Sequence, residues 1–405
     1  MSSTAIVVGG GVIGASCAYY LSAQDIQVQL FDVGDIGGGT SSRCDGNILA
    51  IDKDPGFDSQ LALGSQKLLR DLVQVVGPME YRQPGSYLVC DNGDEVLPAQ
   101  RWVETQKDQG LPFSYLDYAA VHEALPHLAE DIPGGLYCAS DATLNPLLYT
   151  HRLIEAARGQ GARIYPRHGV EKILTDGGHV KGVRLQTGDD VRADIVVVAS
   201  GVWTPKLLEP IGISIPIMPR KGHLLVSARG PLFGHAKVME FGYLMSKFGQ
   251  ERMAPPAMVK HGIALVYEPT MSHNFLLGSS REFVGEDIKP NPTISRLIAE
   301  RALRFYPGMS HATLMRTYAG LRPYTPDHFP VISRVDAVRG LLIAAGHEGD
   351  GIGLAAITGA LVRDLVLDRE PAYDLKPLRW DRFHKEGEPH TNAVSARRSS
   401  DSLPL

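Results

Sequence analysis

Three short apolar runs, far apart in the chain, each lead into a glycine: residues 5–8 before Gly9, 195–199 before Gly201, and 341–345 before Gly346. Runs of this length without polar alternation predict strands buried on both faces, as in a parallel sheet. The first and third pass into segments with helical spacing, Ile13, Cys17, Ala18 and Leu21 in one case and Ile352, Ala355, Ala356, Ile357, Ala360 and Leu361 in the other. Strand, glycine turn and helix form the unit that sets a phosphate or a ring carbonyl at a helix N-terminus. Residues 81–145 and 216–320 have another texture, with strand-like pieces at 86–90, 262–267 and 274–278 between Pro and Gly turns. The pattern predicts an α/β chain of two interleaved parts. A Rossmann-like nucleotide domain takes residues 1–80, 146–215 and 321–375, and an antiparallel-sheet substrate domain takes 81–145 and 216–320. Apolar periodicity then fades, so 376–405 is set apart as a C-terminal tail, and its final segment, 387–405, is expected to be mobile or a partner contact.

The first glycine turn reads Gly9-Gly10-Gly11-Val12-Ile13-Gly14, a G-x-G-x-x-G pattern directly after a strand and opening a helix. Gly9 permits the tight turn, Gly11 lets backbone approach a pyrophosphate, and Gly14 lets helix and strand pack closely. Asp32 ends a second predicted strand, 28–31. A carboxylate there accepts hydrogen bonds from ribose hydroxyls and repels a 2′-phosphate. A glycine-rich turn of some other α/β fold is the alternative. The motif alone does not separate NAD from FAD. The following Gly37-Gly38-Gly39-Thr40-Ser41-Ser42 offers backbone and three hydroxyls for a second pass along a diphosphate and a ribityl chain, or is simply a Gly/Ser loop.

Composition narrows the class of partner. At 405 residues there is room for more than one core, and a formal net charge of −5 with no Lys/Arg run argues against nucleic acid. Cys17, Cys44, Cys90 and Cys138 show no paired spacing, so neither a metal nor a disulfide framework is expected, and free thiols suit a reducing cytoplasm. The first residues carry no basic charge, and no stretch reaches the ~20 apolar residues of a membrane helix, so neither signal peptide nor transmembrane segment is expected.

Taken together, Val7 to Gly14, Gly39-Thr40-Ser41-Ser42, Val198-Ala199-Ser200-Gly201-Val202-Trp203, Gly320-Leu321-Arg322-Pro323-Tyr324-Thr325-Pro326-Asp327, and Ala344-Ala345-Gly346-His347 with Gly351-Ile352-Gly353 resemble the D-amino acid oxidase and glycine/sarcosine oxidase family of flavoproteins. The matches span nearly the whole chain in the family's order. Two further segments, 43–49 and 219–223, resemble the β subunits of bacterial dehydrogenases acting on D-hydroxyproline, opines or proline. The resemblance implies a glutathione-reductase-type FAD domain with the flavin extended across the sheet. It implies Val12, Ile13 and Asp32 at the adenosine, Val170 at the adenine, and Thr40 and Ser41 at the pyrophosphate. Gly46 and Asn47 would lie on the ring side, and the stretch from His347 through Glu348, Gly349, Asp350 and Gly351 to Ile352 beside the flavin pyrimidine. Ser200, Gly201, Trp203 and Gly346 belong to the matched cofactor segments.

Oxidising an amine to an imine sends hydride to flavin N5, and the N-terminus of the helix opened by Gly351-Ile352-Gly353 offers positive charge to the reduced ring. Arg322 is the first candidate for the substrate carboxylate, since a guanidinium can hold it bidentately; an ion pair with Asp327 is the plainer reading. Tyr267 is expected to close the pocket or to pack within a strand. His347 and Glu348 are candidates to tune the flavin or meet the substrate amine. Lys221 and His223 either touch flavin or shape a turn. Gly349 stands where glycine oxidases carry another arginine, which implies a substrate larger than glycine. The expected activity is FAD-dependent oxidation of a D-amino, imino or N-substituted amino acid in a hetero-oligomer. With no iron–sulfur ligand pattern in this chain, a further subunit would hold the acceptor, an iron–sulfur centre or second flavin, and could bring the enzyme to the inner face of a membrane. An oxygen-using oxidase and a flavin-binding relay or structural subunit are the alternatives.

Overall fold

The computed structural model describes residues 3–108, 110–247 and 254–384. Among these, two large sheets carry the chain. In the first, Val331–Arg334, Leu341–Ala345, Ile195–Val198, Thr4–Val8, Gln27–Phe31 and Arg163–Tyr165 lie side by side in that order. Pairing is parallel throughout except between the first two. Thr4–Val8 shows why its sequence lacks polar alternation. Ala5 and Val7 enter a core shared with helices Val12–Ser22 and Gly351–Val366, while Ile6 and Val8 enter an opposite core with Ile173, Val183 and Trp380.

The second sheet runs Leu314–Tyr324, Met218–Ser227, Phe275–Gly278, Val266–Pro269, Lys237–Glu240, Ser86–Val89, Gly135–Cys138 and Phe113–Leu116. Its neighbours are antiparallel apart from Lys237–Glu240 with Ser86–Val89, the place where two distant stretches of chain meet. One face packs on helix Pro292–Phe305, started by Pro292 and by the Asn291 side chain accepting from Thr293 N. The other face packs on helix Val96–Asp108. The fold is mixed α/β, and among the described residues no helix is long and apolar enough to cross a membrane.

Three sequence expectations are corrected here. The strand expected at 262–267 is Val266–Pro269, because Gly262, at φ +55, closes a turn after the short helix Pro256–Lys260. The boundary expected between 320 and 321 falls inside the strand Leu314–Tyr324, whose Gly320, Leu321 and Arg322 all pair with Met218–Ser227 and so stay in one sheet. Residues 376–384 are no loose tail. Leu378 and Trp380 are buried, and Arg379 and Arg382 pair with Asp336 and Asp327. The rest of that segment lies outside the described residues.

Candidate functional site

A cleft of about 760 Å³ runs from Asp32 and Val170, past the ends of the parallel strands, to Gly222 and Arg322 of the second sheet. At its first end the chain works almost entirely through backbone. A Cβ on Gly14 would sit 1.8 Å from Gly9 O, so only glycine lets the helix come this close to the turn. Asp32 Oδ2 accepts from Gly10 N at 2.6 Å and Oδ1 from Gly34 N at 2.7 Å, so the carboxylate braces the turn as well as facing the cleft. Ser41 Oγ accepts from Val12 N at 3.0 Å, and Thr40 Oγ1 donates to Leu321 O at 2.7 Å, tying the hydroxyl turn to the second sheet. Gly9, Gly11, Val12, Ile13, Thr40, Ser41, Val170, Ser200, Gly201 and Trp203 all line this part.

At the other end the site is made of side chains. Arg322 lies over Gly222 of the neighbouring strand, where a Cβ would fall 2.2 Å from Nη1. It donates through Nη1 to Ser280 O at 2.9 Å and through Nη2 to Ser279 Oγ at 2.5 Å. Two neutral acceptors leave donors of the five-donor fork available. Among the described residues no carboxylate forms an ion pair with Arg322, and Asp327 is held by Arg382 at 2.6 Å, which removes the plainer reading. Burial, and then the charge of Arg281, pull the Arg322 pKa down, which favours an anionic partner. Its cross-strand partner is Arg220, whose charge is met by Glu348.

Glu348 lines the cleft, yet its carboxylate is shared by Arg220 and by His328 Nδ1 at 2.7 Å, so it is not a free base for a substrate amine. His347 also reaches the cleft. Thr358 Oγ1 donates to Leu354 O, so it accepts from His347 Nε2–H at 2.9 Å, and burial pushes the imidazole down to about 3, keeping it neutral. Gly346, Gly349, Gly351 and Ile352 line the same end.

Other expected residues lie elsewhere. Tyr267 is a core residue with no exposed surface; its hydroxyl accepts from Phe233 N and donates to Gly234 O, both at 3.0 Å, which leaves it no part in the cleft. Asp350 is drawn aside by Lys53 at 2.8 Å. Ser42 faces a neighbouring cleft, Gly46 N donates to Glu268 at 2.9 Å, and Asn47 Oδ1 accepts from Lys237. Lys221 is spent on Asp287, and His223 on Ser280 and the Asn291 N–H. The sequence reading named Glu348 but missed its partners Arg220 and His328, and it missed Gly222 and Asp45, which lines the cleft beside Cys44. Only Gly222 carried a signal, as a glycine inside a strand.

A glycine turn at a helix N-terminus, a carboxylate facing the cleft and an extended cleft ending on a cation suit a dinucleotide cofactor, and so an oxidoreductase. A family model described as FAD dependent oxidoreductase (DAO) matches residues 4–365, and the chain belongs to that family. It is an enzyme with FAD as its cofactor. The chain is 29% identical to hydrogen cyanide synthase subunit HcnC of Pseudomonas protegens, over 93% of this chain and 95% of the relative. It is 29% identical to glycine oxidase of Bacillus subtilis, over 93% and 97%. The crystal structure of glycine oxidase from Geobacillus kaustophilus superposes with a TM-score of 0.84 at 26% identity, covering 94% of this chain and 99% of that one.

Proposed function

We propose that the enzyme oxidises the C–N bond of a D-configured, imino or N-substituted amino acid, D-hydroxyproline-like or opine-like, to the imine. The observation that carries this reading is Arg322, a cation on the cleft with no carboxylate paired to it among the described residues. Its fork would hold the substrate carboxylate and fix the α-C–H for transfer. Bound FAD supplies the hydride acceptor. Gly9, Gly11, Val12, Ile13, Asp32, Thr40 and Ser41 would hold its adenosine diphosphate half, and Gly346, Gly349, Gly351 and Ile352 would lie near its ring.

In this reading the chain is the catalytic β subunit of a cytoplasmic hetero-oligomer whose other subunits take up the electrons. A relative named as a synthase subunit supports it. The glycine oxidase relatives favour a second reading, an oxidase that hands electrons to oxygen. Anaerobic bleaching of the bound flavin by a panel of D-amino acids, cyclic imino acids and opines tests the substrate class. Bleaching by imino acids or opines supports the proposal, and bleaching by glycine alone overturns it. Full turnover with oxygen by the isolated chain would decide for the oxidase.

A further inference from the structure

Asp45, Lys237 and Glu268 form an unbroken polar chain between two clefts. Asp45 lines the main cleft. Lys237 Nζ donates to Asp45 Oδ2 at 2.8 Å, to Glu268 Oε2 at 3.1 Å and to Asn47 Oδ1. Glu268 lines a second cleft of about 220 Å³, which is rimmed by exposed Met271 and Leu147. The Lys237 side chain has no exposed surface and that of Glu268 only 5%. One buried ammonium would be neutralised by one carboxylate. Arg322 offsets the second carboxylate at the Asp45 end, but not at Glu268, where burial makes the negative charge costly and a bound proton relieves it.

We propose that Asp45, Lys237 and Glu268 conduct the proton leaving the substrate nitrogen from the main cleft to the second one. This rests on the amine-oxidation reading above. An amino acid enters as its ammonium form, and its nitrogen needs a free lone pair before the C–H can leave with its electrons as hydride. Asp45 accepts the N–H proton. Glu268, protonated at rest, releases its proton to water in the second cleft and takes another from Lys237, which is refilled from Asp45. The substrate thus loses one hydride to FAD and one proton to solvent, and the three side chains end as they began.

The direction has a physical basis. Burial would raise Asp45, but Lys237 beside it draws it below the usual carboxylate range, whereas burial holds Glu268 above that range. The other ionisable groups facing the chain are Cys44, Tyr318 and Arg322, with Arg316 and Arg82 beyond Tyr318 and Pro269. Burial raises Cys44 and Tyr318, which stay protonated and take no part.

Glu268→Gln keeps an acceptor for Gly46 N–H but cannot carry the proton. In the holoenzyme its flavin reduction should slow by about 10²-fold, gain a solvent deuterium isotope effect, change its pH profile and recover with added formate. FAD content should hold. Asp45→Asn should show the same isotope effect without formate rescue, because its group faces the other cleft. Reduction with unaltered pH profile and no isotope effect in both variants overturns the proposal. Infrared titration of the flavin-free protein provides an independent reading. A protonated carboxyl band that exchanges rapidly in D₂O and disappears in Glu268→Gln supports the relay, and its absence sinks it. If no amino acid reduces the wild-type flavin, the functional reading fails, while the infrared result still judges the chain itself.

Discussion

The two ends of the main cleft are built on different plans. Around Gly9 to Gly14 the wall is the backbone of one strand-turn-helix unit, its Gly10 and Val12 N–H groups braced by the Asp32 and Ser41 side chains from the next segments of the chain. Around Arg322 they come from long side chains whose partners, Ser279, Ser280, Arg220 and Glu348, arrive from strands and loops far apart in the chain. A backbone cradle suits a cofactor that never changes. Guanidinium and carboxylate positions can be altered one residue at a time without disturbing the cradle, and the end facing substrate has that freedom.

The contrast breaks most severely at Gly14. Gly14→Ala forces a Cβ to 1.8 Å from Gly9 O, so FAD retention should be lost together with much of the thermal stability, as absorbance of the purified protein and a melting curve would show. An Ala variant that stays fully loaded would mean that the turn is not the grip. Arg322→Ala should lower kcat/KM by about 30-fold or more, since losing a charged partner costs on the order of 2 to 5 kcal/mol. Arg322→Lys should recover only part of that, because the planar fork is missing. FAD content must stay normal in both; if it falls while substrate affinity holds, the two ends are not separable.

Asp32→Ala should weaken FAD binding by about 1.5 to 3 kcal/mol through loss of charge-assisted hydrogen bonds, and leave the KM of the loaded enzyme unchanged. Titration of FAD-free protein with FAD would measure it. The last effect is confined to acid and concerns His347. Its imidazole is neutral when folded and titrates at about 3, against an ordinary value near 6.5 in the unfolded chain. Between those values the unfolded state binds the extra proton, so the stabilisation is complete above about pH 6.5 and falls by about 1.4 kcal/mol per pH unit as pH drops below it. His347→Gln should flatten the acid side of the melting profile. An equally steep acid limb in the variant would place the sensitivity elsewhere.

The same division governs what can be read from sequence. The parallel strands and the glycine turn are legible because strand, turn and helix are local and leave apolar runs and glycines in order. Residues such as Tyr267 are not, since a strand position looks alike whether its ring fills a core or faces a cleft. The ion pairs of Glu348 with Arg220 and of Lys237 with Asp45 are not legible, because each joins residues more than a hundred positions apart in the chain. Helix Pro292–Phe305 is hidden inside a stretch that reads as strands, although Asn291 and Pro292 announce its start.

The strand Leu314–Tyr324 belongs to the second sheet for its whole length, yet Leu321 O also receives the Thr40 hydroxyl from the cofactor side. The two halves of this enzyme are therefore poor building blocks for recombination. A chimera that exchanges substrate preference with a relative by cutting at residue 320 would sever the Met218–Ser227 pairing and leave Arg322 on the wrong parent. A workable graft would carry both strands as one cassette, and would have to preserve the hydroxyl contact that joins it to its host.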